Sequence, residues 1–276
     1  MSGDDGKTAA VTDRGLAKGA AGAGGARVVT AALVIIGNEV LSGRTRDANT
    51  AYLAERLNAL GVRLREVRVV RDEYEAIARA VNELRAENDY VFTTGGIGPT
   101  HDDITAEAIA RAFGRPLIAH PEAVARLERH YAPGDFTPAR RRMANTPEGA
   151  VLIDNPVSAA PGFQVGNVFV MAGVPRIMQA MFESVRHRLI GGEPLLSRTV
   201  RCNLPEGRIA ERLARLQEDF PDLEIGSYPH MHQGGPSVRL VLRGTDAARL
   251  AVGAAALKAM IGELGGTAEE IDVTAT

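Results

Sequence analysis

Lysine is nearly missing from this 276-residue chain, which has it only at Lys7, Lys18 and Lys258. With none between positions 19 and 257, that long stretch supplies neither a P-loop lysine nor a Schiff-base lysine. This argues against Walker-type NTPases and lysine aldolases. Cationic chemistry falls to arginine, whose planar fork suits bidentate phosphate contacts. Cysteine is reduced to Cys202, so there is no disulfide framework and no Cys-rich zinc site. No apolar run approaches the length of a transmembrane helix, and the N-terminus lacks the basic-then-apolar layout of a secretory signal. A basic surplus is missing as well. The formal net charge is −2, which argues against duplex nucleic acid as a partner. These absences lead us to expect a cytoplasmic protein with neither a membrane nor a nucleic acid as its partner.

What is present is 45% hydrophobic residues, enough for one sizeable core and a smaller domain. Residues 1–26, rich in Gly and Ala and without periodicity, read as a tail. From Val28 to Ile36 runs a near-continuous apolar strand of the doubly buried type. Leu53, Leu57 and Leu60 mark a helix stopped by Gly61, and Leu64 to Val70 the next strand. Ile77, Val81 and Leu84 mark another helix, and Tyr90 to Thr93 another strand. Further on, a helix around Glu122 to Tyr131 precedes strands at Val151–Ile153 and Val168–Met171. Ile177, Met181, Val185 and Leu189 make a closing helix, with Gly191-Gly192 and Pro194 read as a linker. This alternation predicts an α/β domain over 27–190 with a mostly parallel sheet. Residues 195–276 change style to a βαββα order, the mark of a small C-terminal α+β domain with an antiparallel sheet.

The chemistry concentrates in Thr93-Thr94-Gly95-Gly96-Ile97-Gly98-Pro99-Thr100-His101-Asp102-Asp103-Ile104-Thr105. A strand delivers this glycine-rich turn, and the turn opens a helix. Gly95, Gly96 and Gly98 let backbone N–H groups approach an anion, and the helix N-terminus adds partial positive charge. Thr94 and Thr100 offer hydroxyls to the same anion. Asp102 and Asp103 sit awkwardly beside an anion unless a divalent cation bridges carboxylate and phosphate. Either aspartate is alternatively a helix N-cap, and one of the two is expected to cap. Glu39 follows the first strand, where open α/β sheets place ligand loops. Asp47 precedes the Leu53 helix, where capping is the commoner role and a substrate contact the other expectation. Gly173 and Pro175 fit a second helix start facing the same pocket. Arg142 ends a basic triplet, a solvated face or a phosphate-steering one.

Four segments resemble one family: Gly37-Asn38-Glu39-Val40-Leu41-Ser42-Gly43 with Asp47-Ala48-Asn49; the glycine loop; Pro147-Glu148-Gly149-Ala150 through Asn155 to Gly162-Phe163; and Gly173-Val174-Pro175. Their order and spacing are similar to the molybdopterin-binding-like domain of MoaB/MogA proteins, and most of all to the N-terminal part of CinA (competence/damage-inducible A) proteins. The later segments Gly207 to Leu213 and Ile225 to Pro229 resemble the small domain that follows in CinA proteins. The resemblance implies a three-layer α/β/α fold and a homodimer or higher homo-oligomer. It implies a small phosphorylated ligand: a pterin phosphate such as molybdopterin, or a nucleotide diphosphate such as ADP-ribose cleaved with magnesium, manganese or cobalt. It also adds Asp72, which matches a family aspartate, as a metal or ribose contact, and sets Arg142 in the place of a family lysine. The chain departs from the pattern at Asn38, where the family usually has aspartate, and at Ile177, where many relatives have glutamate. These departures bring in a second expectation, ligand binding or delivery without turnover. The deamidase domain of longer CinA proteins has no counterpart in this sequence, so that activity is not expected.

Overall fold

The computed structural model describes residues 27–232 and 235–271; the stretch read above as a tail lies outside the described residues. Two compact units divide the chain, one ending at Gly192 and the other beginning at Glu193. In the first, β1 (Val29–Ile36) is buried at every position, which is why its sequence shows no polar alternation. There follow α1 (Asn38–Leu41), α2 (Asn49–Ala59), β2 (Val62–Val70), α3 (Tyr74–Glu87), β3 (Tyr90–Thr94) and α4 (Thr105–Phe113). A less regular stretch holds β4 (Leu117–Ala119), α5 (Pro121–His130), α6 (Pro138–Arg141) and β5 (Asn145–Pro147). The unit closes with β6 (Val151–Ile153), β7 (Gly162–Val165), β8 (Val168–Met171) and α7 (Pro175–Val185).

Six strands form one sheet in the order β2-β1-β3-β8-β7-β6. The first four run parallel, and β7 and β6 turn antiparallel at the edge. Side chains alternate between the two faces, so each face acquires its own helices. On one face Leu33, Ile35 and Phe92 pack with Leu53 and Leu57 of α2 and Met181 and Phe182 of α7. On the other, Val34, Ile36 and Val91 meet Ile77, Val81 and Leu84 of α3 and Ile109 of α4. Each such large side chain contributes roughly 1.5–3 kcal/mol by leaving water, and the result is the expected three-layer α/β/α fold. The strand order places β2 on one side of β1 and β3 on the other. The chain therefore reverses its winding direction between β1 and β3, and in open α/β sheets ligands bind in the crevice this leaves at the carboxyl ends of the strands.

The end of the unit departs from the sequence reading. α7 stops at Val185, and a single 3-10 turn over Arg186–Arg188 follows, so Leu189 reaches the core from beyond the helix. Nor is Gly191-Gly192 a free linker. A Cβ on Gly191 would lie 1.7 Å from the Leu60 carbonyl oxygen, and Gly192 N–H donates to the Gly61 carbonyl at 3.1 Å. Here glycine serves close backbone approach rather than flexibility.

The second unit contains β9 (Leu196–Cys202), α8 (Glu206–Asp219), β10 (Glu224–His232), β11 (Gly235–Gly244), α9 (Ala247–Glu263) and β12 (Ala268–Ile271). All its strand pairs are antiparallel, in the order β10-β11-β9-β12. One face carries Val200, Cys202, Leu240 and Leu242, against Ile209 and Leu216 of α8 and Leu250 and Leu257 of α9. The antiparallel α+β character is as expected, but β12 extends the βαββα reading to βαββαβ. Its charged sequence, Ala268-Glu269-Glu270-Ile271, hides it from an apolar pattern search. Arg198 and Arg201 of β9 hold Glu270 and Glu269 across the ladder.

Candidate functional site

Three loops from the carboxyl ends of β1, β3 and β8, together with the turn after β2, enclose a cleft of about 570 Å³. The glycine loop forms its floor. Gly95 and Gly96 take φ of +108° and +67°, the left-handed region that favours glycine. A Cβ on Gly95 would stand 2.1 Å from the Ile36 carbonyl oxygen, and one on Gly96 2.2 Å from Thr105 Oγ1. The loop is pinned at both ends: Gly95 N–H donates to Met171 O at 3.1 Å, and Thr105 returns its N–H to Gly96 O and its hydroxyl to Gly95 O. Between these pins the N–H groups of Gly96, Ile97 and Gly98 have no acceptor among the described residues. They are open donors at the mouth of a helix, a favourable place for an anion.

Around this floor stand four carboxylates, on Glu39, Asp72, Asp102 and Asp103. Neither Asp102 nor Asp103 caps α4, contrary to expectation: the residue before the helix is Ile104, and no side chain caps it. Thr100 captures both aspartates instead. Its Oγ1 lies 2.6 Å from Asp103 Oδ2 and also within hydrogen-bond reach of Asp102 Oδ1, while its N–H donates to Asp103 Oδ2 at 2.8 Å. The Thr100 hydroxyl, with the Asp102 N–H assisting, holds the Asp102 carboxyl below its ordinary value. Asp72 accepts the Asn38 N–H at 2.8 Å. Its carboxyl is pushed up, first by burial and further by the charges of Glu39, Asp102 and Asp103, with the Asn38 N–H opposing the rise. The four acids thus share one electrostatic field.

The opposite wall is apolar. Ile97, Met143, Ala172, Val174 and Ile177 face the cleft, with Asn155, Ser158 and Ala160 beside them. The Asn155 side chain accepts from the N–H groups of Val157 and Ser158, and donates to Ser158 Oγ and Ala160 O. That bonding fixes a tight loop in which Ala159 has φ +59°, the one positive-φ residue other than glycine among the described residues. Gly173 lines the cleft at the start of α7, and its carbonyl accepts the Asn49 amide at 2.8 Å.

Three sequence candidates lie elsewhere. Thr94 is 1% exposed within β3 and lines no part of the cleft, because the chain turns toward the ligand face only at Gly95. Asp47 accepts the Asn49 N–H at 2.9 Å and the Thr50 N–H at 3.3 Å, so it serves the start of α2. Arg142 sits on the 3-10 turn after α6, where its charge acts on Glu107 and Tyr74; the next residue, Met143, faces the cleft in its place. Thr45 and Met143 line the cleft although neither was among the candidate site residues. Neither has a chemistry that sets it apart in a sequence.

Asp102 and Asp103 are the side chains of this cleft that could hold a divalent cation. Among the described residues no three His, Cys, Asp or Glu side chains converge as a ready-made metal cage. Magnesium-type ions are usually held by only one or two carboxylates together with waters and substrate phosphate oxygens. The Asp102–Asp103 pair beside open amides fits that donor set, with the ligand completing it.

Residues 32–191 match the probable molybdopterin binding domain family, more than half of the chain, and residues 194–266 match the middle domain of FAD synthase. The chain belongs to the molybdopterin-binding domain family. A protein of Archaeoglobus fulgidus is 40% identical over 197 residues, covering 71% of this chain and 84% of that one. A CinA-like protein of Desulfosudis oleivorans is 38% identical over 209 residues, covering 71% of this chain and 51% of its own length. This chain therefore spans about half of that relative. The structure of the protein CinA from Thermoplasma acidophilum is 35% identical with a TM-score of 0.55, covering 58% of this chain and 96% of that one. No described helix is long and apolar enough to cross a membrane.

Proposed function

We propose that the first unit is a metal-dependent hydrolase of a nucleotide diphosphate, with ADP-ribose as the representative substrate. One observation carries this reading: open glycine-loop amides and four carboxylates share a cleft that no lysine, arginine or histidine lines. Beside four carboxylates a divalent cation would favour phosphate binding, and when bound that cation would polarise the phosphoryl oxygen. Asp102 and Asp103 would hold the cation, and Thr100 keeps them in place. The N–H groups of Gly96, Ile97 and Gly98 would stabilise charge developing on the attacked phosphate. The wall of Ile97, Met143, Val174 and Ile177 would seat the ring system and exclude water. Water attacks one phosphorus of the diphosphate, the bridging P–O bond breaks, and AMP and ribose 5-phosphate result.

A second reading, binding or delivery of molybdopterin or a nucleotide without turnover, is favoured by Ile177. Its apolar side chain faces the cleft where the family pattern has glutamate. Incubation of the full chain with ADP-ribose and magnesium, manganese or cobalt, followed by chromatography of products, separates the two. Release of AMP that disappears in the Asp102→Ala, Asp103→Ala double variant supports hydrolysis. Release unchanged in that variant sinks the assignment, and tight binding without product supports the second reading.

A further inference from the structure

A nucleotide in this cleft brings a ring system as well as phosphates, and a few well-placed polar groups decide which ring an apolar wall accepts. Four side chains of the lining carry hydrogen-bond donors whatever the charge of the acids: Thr45, Thr100, Asn155 and Ser158. Two of these are spent. The Thr100 hydroxyl is held between Asp102 and Asp103. Asn155 uses its amide nitrogen twice, at 2.6 Å to Ser158 Oγ and 2.8 Å to Ala160 O, and its Oδ1 takes the N–H groups of Val157 and Ser158. Thr45 belongs to the segment 41–48, exposed at every residue from 41 to 48, and its N–H goes to Glu39 O at 3.1 Å, on the acidic side of the cleft. Among the described residues, Ser158 alone brings an uncommitted hydroxyl proton to the apolar wall.

Every other polar atom of Ser158 is fixed. Its N–H donates to Asn155 Oδ1 at 3.1 Å, its carbonyl accepts the Ala160 N–H at 2.8 Å, and its Oγ accepts from Asn155. A hydroxyl that accepts on one side directs its proton to another, so the Asn155 bond turns the Ser158 proton away from the loop. The Ser158–Ala160 bond closes a three-residue turn about Ala159, whose φ of +59° is a conformation that alanine adopts only at a cost. Met143 and Ala160 pack on one buried cluster with Leu127 and Leu152, which sets this loop beside the wall. The donor is therefore ordered before any ligand arrives, and binding need not immobilise it.

We infer that Ser158 is the specificity-determining residue of the cleft, donating one hydrogen bond to an unprotonated ring nitrogen of the bound heterocycle. A neutral hydroxyl among apolar side chains suits a neutral acceptor, while the anionic end of the ligand has the open amides of the glycine loop. The inference rests on the proposed nucleotide site and narrows its substrate class to phosphorylated nitrogen heterocycles with a free acceptor on the ring edge.

Calorimetric titration of the full chain with AMP, with 1-deaza-, 3-deaza- and 7-deaza-AMP, and with ribose 5-phosphate, each with magnesium, tests it. Each deaza nucleotide lacks one ring nitrogen. One of the three should bind about fivefold more weakly than AMP, and Ser158→Ala should weaken AMP by a similar factor. For that one analogue the substitution should have no further effect, and ribose 5-phosphate should change by less than about twofold with either protein. Because the analogues alter the ligand alone, they read the bond even if the loop shifts in the Ser158→Ala protein. Equal binding of all three analogues and AMP, or equal weakening of AMP and ribose 5-phosphate by Ser158→Ala, overturns the role of Ser158 and leaves the proposed site standing. Failure of the unsubstituted protein to bind either AMP or ADP-ribose overturns both.

Discussion

Thr100 offers one hydroxyl proton to two carboxylates, and that arithmetic sets the chemistry of the cleft. The Thr100 N–H also serves Asp103 and the Asp102 N–H its own carboxyl, but none of these donors carries a full charge, so Asp102 and Asp103 remain a concentrated negative pair. Replacing both with asparagine should lower metal-dependent ADP-ribose turnover by about a hundredfold or more, measured as kcat/KM. The fold should persist, since asparagine still accepts from Thr100. Gly95→Ala should act through the backbone instead. With φ at +108° and the Ile36 carbonyl 2.1 Å from the new Cβ, the loop must shift. The expected cost is about 2–4 kcal/mol in urea unfolding, with loss of ligand binding. At this scale the sequence was legible for residue type but not for direction. Asp102 and Asp103 have the composition of helix caps, but the nearby Thr100 hydroxyl and amide compete for them. Thr94 belongs to the same motif as Gly95 yet is buried as the last residue of β3, because the chain leaves the strand for the cleft only at Gly95.

Elements were more readable than side chains. The buried run of β1, the leucine stripe of α2 and the glycine-rich exit from β3 follow from periodicity and turn chemistry alone. β12 was not readable: its backbone pairs with β9 and only Ala268 packs on the core, while its glutamates face the arginines of β9 at the surface. The start of α2 gives a separate test. Asp47 supplies the first turn with its side-chain acceptor, and Asn49 carries that turn to the Gly173 carbonyl at the cleft. Asp47→Ala should therefore cost about 1 kcal/mol of stability in urea denaturation. It should also weaken ligand binding through Gly173, without touching the ligand. At the start of α7, Ile177→Glu restores the family's acidic residue. If its absence restrains chemistry, this variant turns over ADP-ribose faster than the unsubstituted protein; an unchanged or lower rate removes Ile177 from the account of turnover.

For the whole molecule, the shared field of four acids links stability to pH. The Asp72 carboxyl is raised by burial and by its acidic neighbours, so its ionisation opposes folding. Its favourable contribution is complete below the ordinary carboxylate range and is lost as pH rises through the raised value. Asp72→Asn should then melt higher than the unsubstituted protein at neutral pH, by about 2 °C or more. The gain should vanish in acid and shrink when magnesium is added at neutral pH. Absence of any pH dependence in the difference would show that Asp72 does not belong to the field. The crevice between β1 and β3 was foreseeable in kind, because reversal of winding direction follows from strand order; which side chains fill it was not, because they ride on loops. The packed glycines at the end of the first unit bear on where the chain can be cut. Tyr90 holds Ile190 through its hydroxyl, and Gly191 fits against Leu60 with no room for a side chain. A cut that separates the two units should therefore fall after Gly192, since an earlier one would strip the sheet domain of its own last strap.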